Sequence, residues 1–304
     1  MKAGLNQSAI AIIIGVHKST VSREIRHNRG LRGYRPKQAH RLALNRRHTK
    51  ARPRICGEDW RFVARLLRED WSPEQISLWL AQENHLSISH EGIYQHVLED
   101  KRRGGDLHRH LRCQKPCKKR YGTYDRRGQL RNRISIDDRP AIMERRSRIA
   151  DWELDTIIGK GHKQAIVSLT ERKSRLALIA HVSSRQAESV KDSVVALLQP
   201  LAAHVHTIAS DNGKEFAHHE AIAKALSADF YFAHPYASWE RGLNENTNGL
   251  IRQYFPKGCD FTTITDEDIQ SVMNRLNNRP RKCLGMKTPN QVLFGIDPHV
   301  ALVS

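Results

Sequence analysis

The chain changes character near residue 150, and this change limits what it can fold into. The first 150 of its 304 residues carry 34 Lys and Arg against 15 Asp and Glu, a net charge of +19. The remaining residues carry 17 of each and are neutral. A basic surface that serves only solubility would not end at one point, so we expect a half that binds a polyanion, most often nucleic acid, followed by a different folded half.

Other bulk features exclude whole classes of protein. No run of about 18 apolar residues occurs, so no membrane span is expected. The apolar run 9–16 is short and lacks a small-residue cleavage pattern, so we predict no signal peptide. The five cysteines are scattered and odd in number, which indicates reduced thiols in a cytoplasmic protein rather than a disulfide framework.

The first thirty residues predict a helix-turn-helix. Residues 7–14 have the pattern of a helix with Ile10, Ile13 and Ile14 on one face, and Gly15 begins a short break. A second helix, 18–26, has a Ser/Thr start signal. This geometry lays the second helix in the major groove of DNA, although an ordinary helical hairpin with a polar outer face has the same pattern. The side chains that we predict to contact DNA are Lys18, Ser19, Thr20, Ser22, Arg23 and Arg26.

Residues 71–99 predict a second helix-turn-helix. Ser72, Pro73 and Gln75 form a helix start with a capping box, and an apolar stripe follows. A second helix is predicted from about 90 to 98, with Ile93 and Val97 facing inward. The candidates for its DNA-facing surface are Tyr94, His90 and His96.

Residues 101–148 form the most basic stretch, with 17 Lys and Arg against 5 acidic residues. We interpret this stretch as a partly extended linker that follows the phosphate backbone, the alternative being a solvated charge run. Two histidines and two cysteines lie close together there and could bind zinc, but the paired C-x2-C knuckle is missing and the spacing is cramped, so we favour incidental residues. The residues concerned are His108, His110, Cys113 and Cys117.

From residue 151 the pattern predicts strands. Three apolar, β-branched runs at 152–158, 164–169 and 176–182 form a meander, and helix, strand, helix, strand and helix follow. This order predicts a ribonuclease H-like fold of the α+β or α/β class: a mixed five-stranded sheet with flanking helices, preceded by all-α modules.

Three acidic residues fall where this topology would bring side chains together. Asp155 is in the middle of the first strand, Asp211 follows the fourth strand, and Glu245 begins the last helix, 34 positions after Asp211. Carboxylate oxygens suit Mg²⁺ or Mn²⁺, and two such ions support in-line phosphoryl displacement. Glu153 shares a face with Asp155 and is its rival. The polar neighbours Asn248 and Arg252 lie on the face of Glu245 and suit DNA phosphates.

Three segments then carry a resemblance: 151–159 (DWELDTIIG), 210–216 (SDNGKEF) and 241–258 (RGLNENTNGLIRQYFPKG). They resemble bacterial insertion-sequence transposases of the insertion sequence thirty family, and the likeness covers nearly the whole chain. Residues 71–76 with 93–94 look like the family's second DNA-binding module, and 18–28 look like the recognition helix of its first.

The resemblance implies an integrase-like catalytic core in which Asp155, Asp211 and Glu245 match the family's Asp, Asp, Glu triad. It implies two Mg²⁺ (or Mn²⁺) ions, cleavage and transfer of DNA strands at terminal inverted repeats and into target DNA, and a homo-oligomer on two element ends. The resemblance also implies a bacterial enzyme of the cytoplasm that is associated with the nucleoid. The alternatives are a catalytically idle DNA-binding regulator and a nuclease acting on RNA–DNA hybrids, although the latter does not explain two helix-turn-helix modules.

We therefore expect four segments: a helix-turn-helix module in 1–50, a second such module in 51–100, a basic linker in 101–147, and a catalytic core with a helical tail in 148–304. Family members usually begin upstream of the position that matches Met1, with a helix that packs under the first module. We therefore expect the first module of this chain to be incomplete.

Overall fold

The computed structural model describes residues 4–50, 55–83, 86–112, 130, 132–162, 164–234 and 237–295. The chain divides into two compact units, Met1–Trp60 and Arg61–Ser304. The expected division into four segments remains a prediction.

The first unit contains two short helices, a small hairpin and a longer helix. These elements are α1 (Gln7–Ile13), α2 (Lys18–Asn28), β1 (Arg29–Gly30), β2 (Gly33–Tyr34) and α3 (Pro36–Lys50). The helix α2 begins at Lys18 as predicted, but His17 caps it, since its Nδ1 accepts from the backbone N–H of Ser19 at 3.3 Å. The helix α1 packs through Ala11, and Ile13 and Ile14 are exposed. The predicted apolar face of α1 is therefore largely uncovered among the described residues.

Three helices follow in the chain: α4 (Gly57–Arg68), which crosses the boundary at Trp60, and then α5 (Pro73–Gln82) and α6 (His90–Arg102). The capping box predicted at Ser72 is present, with both reciprocal hydrogen bonds to Gln75. The predicted inward side chains of α5 and α6 are buried, because the two helices pack on each other. They are Ile76, Trp79, Leu80, Ile93 and Val97.

The start of α5 is attached to the later part of the second unit by polar contacts. The buried carboxylate of Asp70 pairs with Arg275 at 2.8 Å and with His110 at 3.0 Å. The side-chain amide of Gln75 donates to the carbonyl of Pro280 at 2.7 Å. Because Asp70 and Gln75 bracket the start of α5, that helix is held directly on the C-terminal segment.

A mixed sheet of six strands forms the centre of the unit, in the order β3-β8-β7-β4-β5-β6. The strands are β3 (Ile134–Ser135), β4 (Asp151–Ile158), β5 (Ala165–Glu171), β6 (Ala177–Val182), β7 (Thr207–Ser210) and β8 (Asp229–Phe232). β4, β5 and β6 are an antiparallel meander, and β4, β7, β8 and β3 pair in parallel. The predicted mixed sheet is confirmed, and β3 adds a sixth, two-residue strand within the segment that we interpreted as linker.

Helices cover both faces of the sheet. They are α7 (Ala187–Leu198), α8 (His219–Leu226), α9 (Gly242–Tyr254), α10 (Asp266–Asn277) and α11 (Pro289–Phe294). Alternation along β4 divides the core: Trp152 and Leu154 pack with α7 and α8, whereas Ile157 packs with α9 and α10. Asp155 is on the side of Ile157 and therefore faces α9.

The edge strand β6 is covered by a side chain. The Asn277 amide accepts from the N–H of Ala177 and donates to its carbonyl, both at 2.8 Å. This pair of bonds imitates a neighbouring strand at the edge of the sheet.

No helix among the described residues is long and apolar enough to cross a membrane.

Candidate active site

The register of two parallel strands places two of the predicted acids side by side. Trp152 pairs with Ile208 and Glu153 with Ala209 across β4 and β7. Continued by two residues, this register sets Asp155 opposite Asp211, which directly follows β7. Asp155 lies in mid-strand, and Asp211 turns the chain by accepting from the N–H of Gly213 at 2.9 Å.

One guanidinium group joins these two carboxylates. Arg241 Nη1 lies 3.7 Å from Asp155 Oδ2, and Arg241 Nη2 lies 3.5 Å from Asp211 Oδ2. Arg241 also donates to the carbonyl of Leu154 at 3.3 Å, and its side chain is only 13% exposed. The pocket between the two aspartates thus already accommodates a cation, which is the charge that a metal ion would bring.

The third predicted acid, Glu245, lies on the helix α9, which contacts this pair through other residues. Glu245 is exposed, and it lies four residues after Arg241 and three before Asn248. Asn248 Nδ2 donates to Asp155 Oδ2 at 2.9 Å, so the flanking turns of α9 contact the aspartates on both sides of Glu245. The described residues contain no group of three or more His, Cys, Asp or Glu side chains close enough to hold a metal. The structure therefore brings two acids together and places Glu245 on the adjoining helix.

Glu153, the rival of Asp155, is fully engaged in structural contacts. It is 1% exposed, pairs with Arg172 at 3.2 Å, and accepts from the backbone N–H of Asn244 at 3.1 Å. Burial raises the pKa of Glu153, although the charge of Arg172 opposes this shift. A carboxylate with both oxygens bound inside the protein is poorly suited to a metal ligand, so we favour Asp155.

Burial also raises the pKa of Asp155, to about 6, and the negative charge of Asp211 contributes to that rise while Arg241 opposes it. A buried carboxyl group whose pKa is raised beside a second acid is typical of a site built for a cation.

A fourth carboxylate adjoins the site and was not predicted. Glu215 Oε1 accepts from Thr156 Oγ1 at 2.9 Å and pairs with Arg185 at 3.0 Å. Although burial acts to raise it, the pKa of Glu215 is lowered, because its backbone amide, Arg185 and Thr156 all bond to the ionised form. Glu215 lies four residues after Asp211, and Arg241 lies four residues before Glu245, so both are within the motifs quoted above. That proximity to predicted acids was the sequence signal that could have identified them as site residues.

The predicted DNA contacts are distributed over both units. On α2, all of the predicted side chains except Ser19 are exposed, and Tyr94 is 40% exposed on α6. Asn248 is bonded to Asp155 and Ser168, and Arg252 donates to the carbonyl of Ile158 at 2.8 Å. Both therefore have partners within the protein. Two of the four residues considered above as zinc ligands, Cys113 and Cys117, lie outside the described residues, as does the basic run 113–129.

Curated relatives match almost the whole chain. It is 46% identical over 291 residues to the "Transposase for insertion sequence element IS4351" of Bacteroides fragilis, covering 94% of this chain and 89% of that protein. It is 33% identical over 309 aligned positions to the "Transposase InsI for insertion sequence element IS30A" of Escherichia coli (strain K12), covering 96% of this chain and 80% of that protein. The chain belongs to the insertion sequence thirty family of transposases.

A further member of the family is the "Transposase for insertion sequence element IS1086" of Cupriavidus metallidurans, 36% identical over 302 residues that cover 94% of this chain and 88% of that protein. No family model matches the chain. Among solved structures, the catalytic core domain of BIV integrase has a TM-score of 0.39 and 20% identity, over 52% of this chain and all of that domain. The transposase relatives confirm the predicted family, and this transposase is a DDE-type polynucleotidyl transferase, a class that generally uses divalent metal ions.

Proposed function

We propose that this transposase cleaves and joins DNA at the terminal inverted repeats of an insertion sequence, using Asp155, Asp211 and Glu245. The observation that supports this most directly is the placement of Asp155 and Asp211 around one guanidinium, with the helix that carries Glu245 packed on Asp155 through Asn248. In this proposal double-stranded DNA is bound by several copies of the chain on two element ends, in the bacterial nucleoid.

The donor set fits magnesium or manganese. Two aspartates and a glutamate offer hard oxygen ligands, and Arg241 already places a positive charge between the two aspartates. Two ions held by these acids would activate a water or a 3′-hydroxyl and stabilise the leaving oxygen. Asn248 and Thr156 then serve by orienting the carboxylates of Asp155 and Glu215.

The test uses the purified full chain, a labelled duplex that ends in the element's inverted repeat, and target DNA. Asp211→Asn and Glu245→Gln keep the size of each side chain and remove its charge. We expect both variants to bind the duplex with unchanged affinity and to lose nicking and strand transfer, because binding and chemistry depend on different residues. Strand transfer that persists in either variant would contradict the assignment of the three acids as catalytic residues.

A charge-matched control separates a site effect from a loss of negative charge. Glu220→Gln changes an exposed acid on α8 that bonds only to Asn132 among the contacts of the described residues. Normal strand transfer is expected in this variant. The idle-regulator alternative predicts binding without nicking in the unaltered chain, and the hybrid-nuclease alternative predicts cleavage of RNA–DNA hybrids without end specificity.

A further inference from the structure

A second polar pocket lies on the other side of α9 from the paired aspartates. It has a volume of about 310 Å³ and is lined by three arginines from separate parts of the chain, together with the start of α9. We call it the arginine pocket, and its principal lining residues are Arg146, Arg175, Arg281, Gly242, Asn246 and Cys283. No Asp or Glu is among its lining residues in the part of the chain that the structure describes.

The charges in this pocket are balanced by the protein only in part, through Glu153 and a hydrogen bond between Arg175 and Cys283. Glu153, the carboxylate whose field reaches Arg175, is already paired with Arg172 at 3.2 Å. Burial lowers the pKa of Arg281 to about 10, and the neighbouring charge of Arg279 contributes. Burial also lowers the pKa of Arg175, and Arg146 adds to that shift. Like charges held together at partial burial cost free energy unless an anion joins them.

The donors of these arginines are incompletely used. The buried Nε atoms of Arg175 and Arg281 have no hydrogen-bond partner among the described residues. Arg281 is held in place by a bond of 2.9 Å from Nη2 to the carbonyl of Leu276, so its remaining donors are preorganised. A fork of guanidinium N–H groups matches the oxygens of a phosphate group.

The position of the pocket indicates which phosphate it would meet. Gly242 and Asn246 are four residues apart and line the pocket, and Glu245 and Asn248 lie on the same turns of that helix. Since an α-helix with side chains is about 10 Å across, both sites can contact one DNA molecule.

We propose that the arginine pocket binds a backbone phosphate of DNA beside the scissile position and so fixes the strand relative to the catalytic carboxylates. This inference rests on the proposed function for its position beside the chemistry, but the binding itself needs neither inverted repeats nor catalysis.

The test measures the affinity of the full chain for a random-sequence duplex over a range of KCl concentrations. Arg146→Gln with Arg175→Gln removes two cations of the pocket, and Arg281 is left intact because it also supports the backbone. The matched control is Lys173→Gln with Lys224→Gln, which removes the same charge from exposed side chains outside both the lining and the basic linker. Each phosphate contact contributes about 0.9 to the slope of log affinity against log salt.

We expect the pocket variant to lose about one unit of slope and to bind roughly ten times more weakly at low salt, while the control keeps both values. In a second arm, inorganic phosphate at constant ionic strength should raise the melting temperature of the unaltered chain and the control but not of the pocket variant. Equal losses of slope and affinity in the pocket variant and the control would show that the effect depends only on net charge, and would overturn the proposal.

Stabilisation by inorganic phosphate with an unchanged DNA slope would also overturn it, because the pocket would then accept a free phosphate compound. Circular dichroism of both variants confirms that they fold. If the unaltered chain binds random DNA through the pocket yet never transfers a strand, the proposed function fails while this inference stands.

Discussion

Asn248 links the helix that carries Glu245 to the carboxylate of Asp155. Its Nδ2 donates to Asp155 Oδ2 at 2.9 Å, and its Oδ1 accepts from Ser168 Oγ at 2.8 Å. The amide is therefore fixed at both ends, and it fixes the carboxylate in turn.

We predict that Asn248→Ala slows strand transfer about 10- to 100-fold, because residues that orient metal-binding carboxylates have effects of this size. Single-turnover strand transfer measures the change. Asn274→Ala is the control, since Asn274 lies exposed on α10 and bonds to Gln270. An unchanged rate in Asn248→Ala would show that Asp155 needs no such support.

Arg241 should compete with metal ions in the DNA-free protein. Its guanidinium lies 3.5 Å and 3.7 Å from the two aspartates, and a second cation between them would meet its charge. At this range two charges repel by up to about 4 kcal/mol near a protein surface. We predict that Arg241→Gln tightens Mn²⁺ binding by roughly tenfold or more, measured by calorimetry without DNA. Arg102→Gln, on the exposed part of α6, should leave the affinity unchanged, and weaker binding in Arg241→Gln would contradict the prediction.

Asp155→Asn should stabilise the metal-free protein at neutral pH. The native pKa of Asp155 is about 6 and the ordinary value is 3.8, so the folded state resists ionisation that the unfolded chain accepts. The cost of the charge is complete above pH 6 and vanishes below about pH 4, and it amounts to at most about 3 kcal/mol. Urea unfolding across this range should show the gain of the variant at pH 7.5 and its loss near pH 4. A gain independent of pH would point to another cause.

Asn277→Ala should destabilise the fold strongly. The change leaves the buried N–H and carbonyl of Ala177 without their partners, at a cost of about 2–4 kcal/mol. Urea unfolding measures it, with Asn290→Ala as the control because that amide forms an exposed bond to Asn278. Equal stability of the two variants would mean that water replaces the lost bonds.

Most of the fold could be predicted from local sequence patterns. The strand at residues 152–158 and the capping box at Ser72 depend on neighbours in sequence, and both predictions are confirmed. The two-residue strand β3 has no periodicity to detect and exists only through its pairing with β8. The helix predicted at α1 is present, but its isoleucines are not buried as a group, since Ala11 is the residue of α1 that is buried. Helical spacing states which residues share a face, but not which face is covered.

The site was predicted only in part, for the same reason. Acidic residues at a strand middle, a strand exit and a helix start can be recognised along the chain. The link from Arg241 to both aspartates joins residues that are 86 and 30 positions apart, and the bond from Thr156 to Glu215 spans 59. Such contacts depend on the register of β4 against β7, which no local pattern specifies.

The helix α5 is attached to the C-terminal segment through Asp70 with Arg275 and Gln75 with Pro280. This attachment affects how the enzyme selects the distance along DNA between its binding site and the phosphate that it cleaves. We propose that the second helix-turn-helix module, which contains α5 and α6, binds DNA. These helices belong to the same compact unit as the paired aspartates. The interval between the gripped bases and the cut phosphate is then set by folded protein, in the manner of a ruler. Lengthening the DNA between the two points by a single base pair would shift the cut by one nucleotide rather than stretch the enzyme.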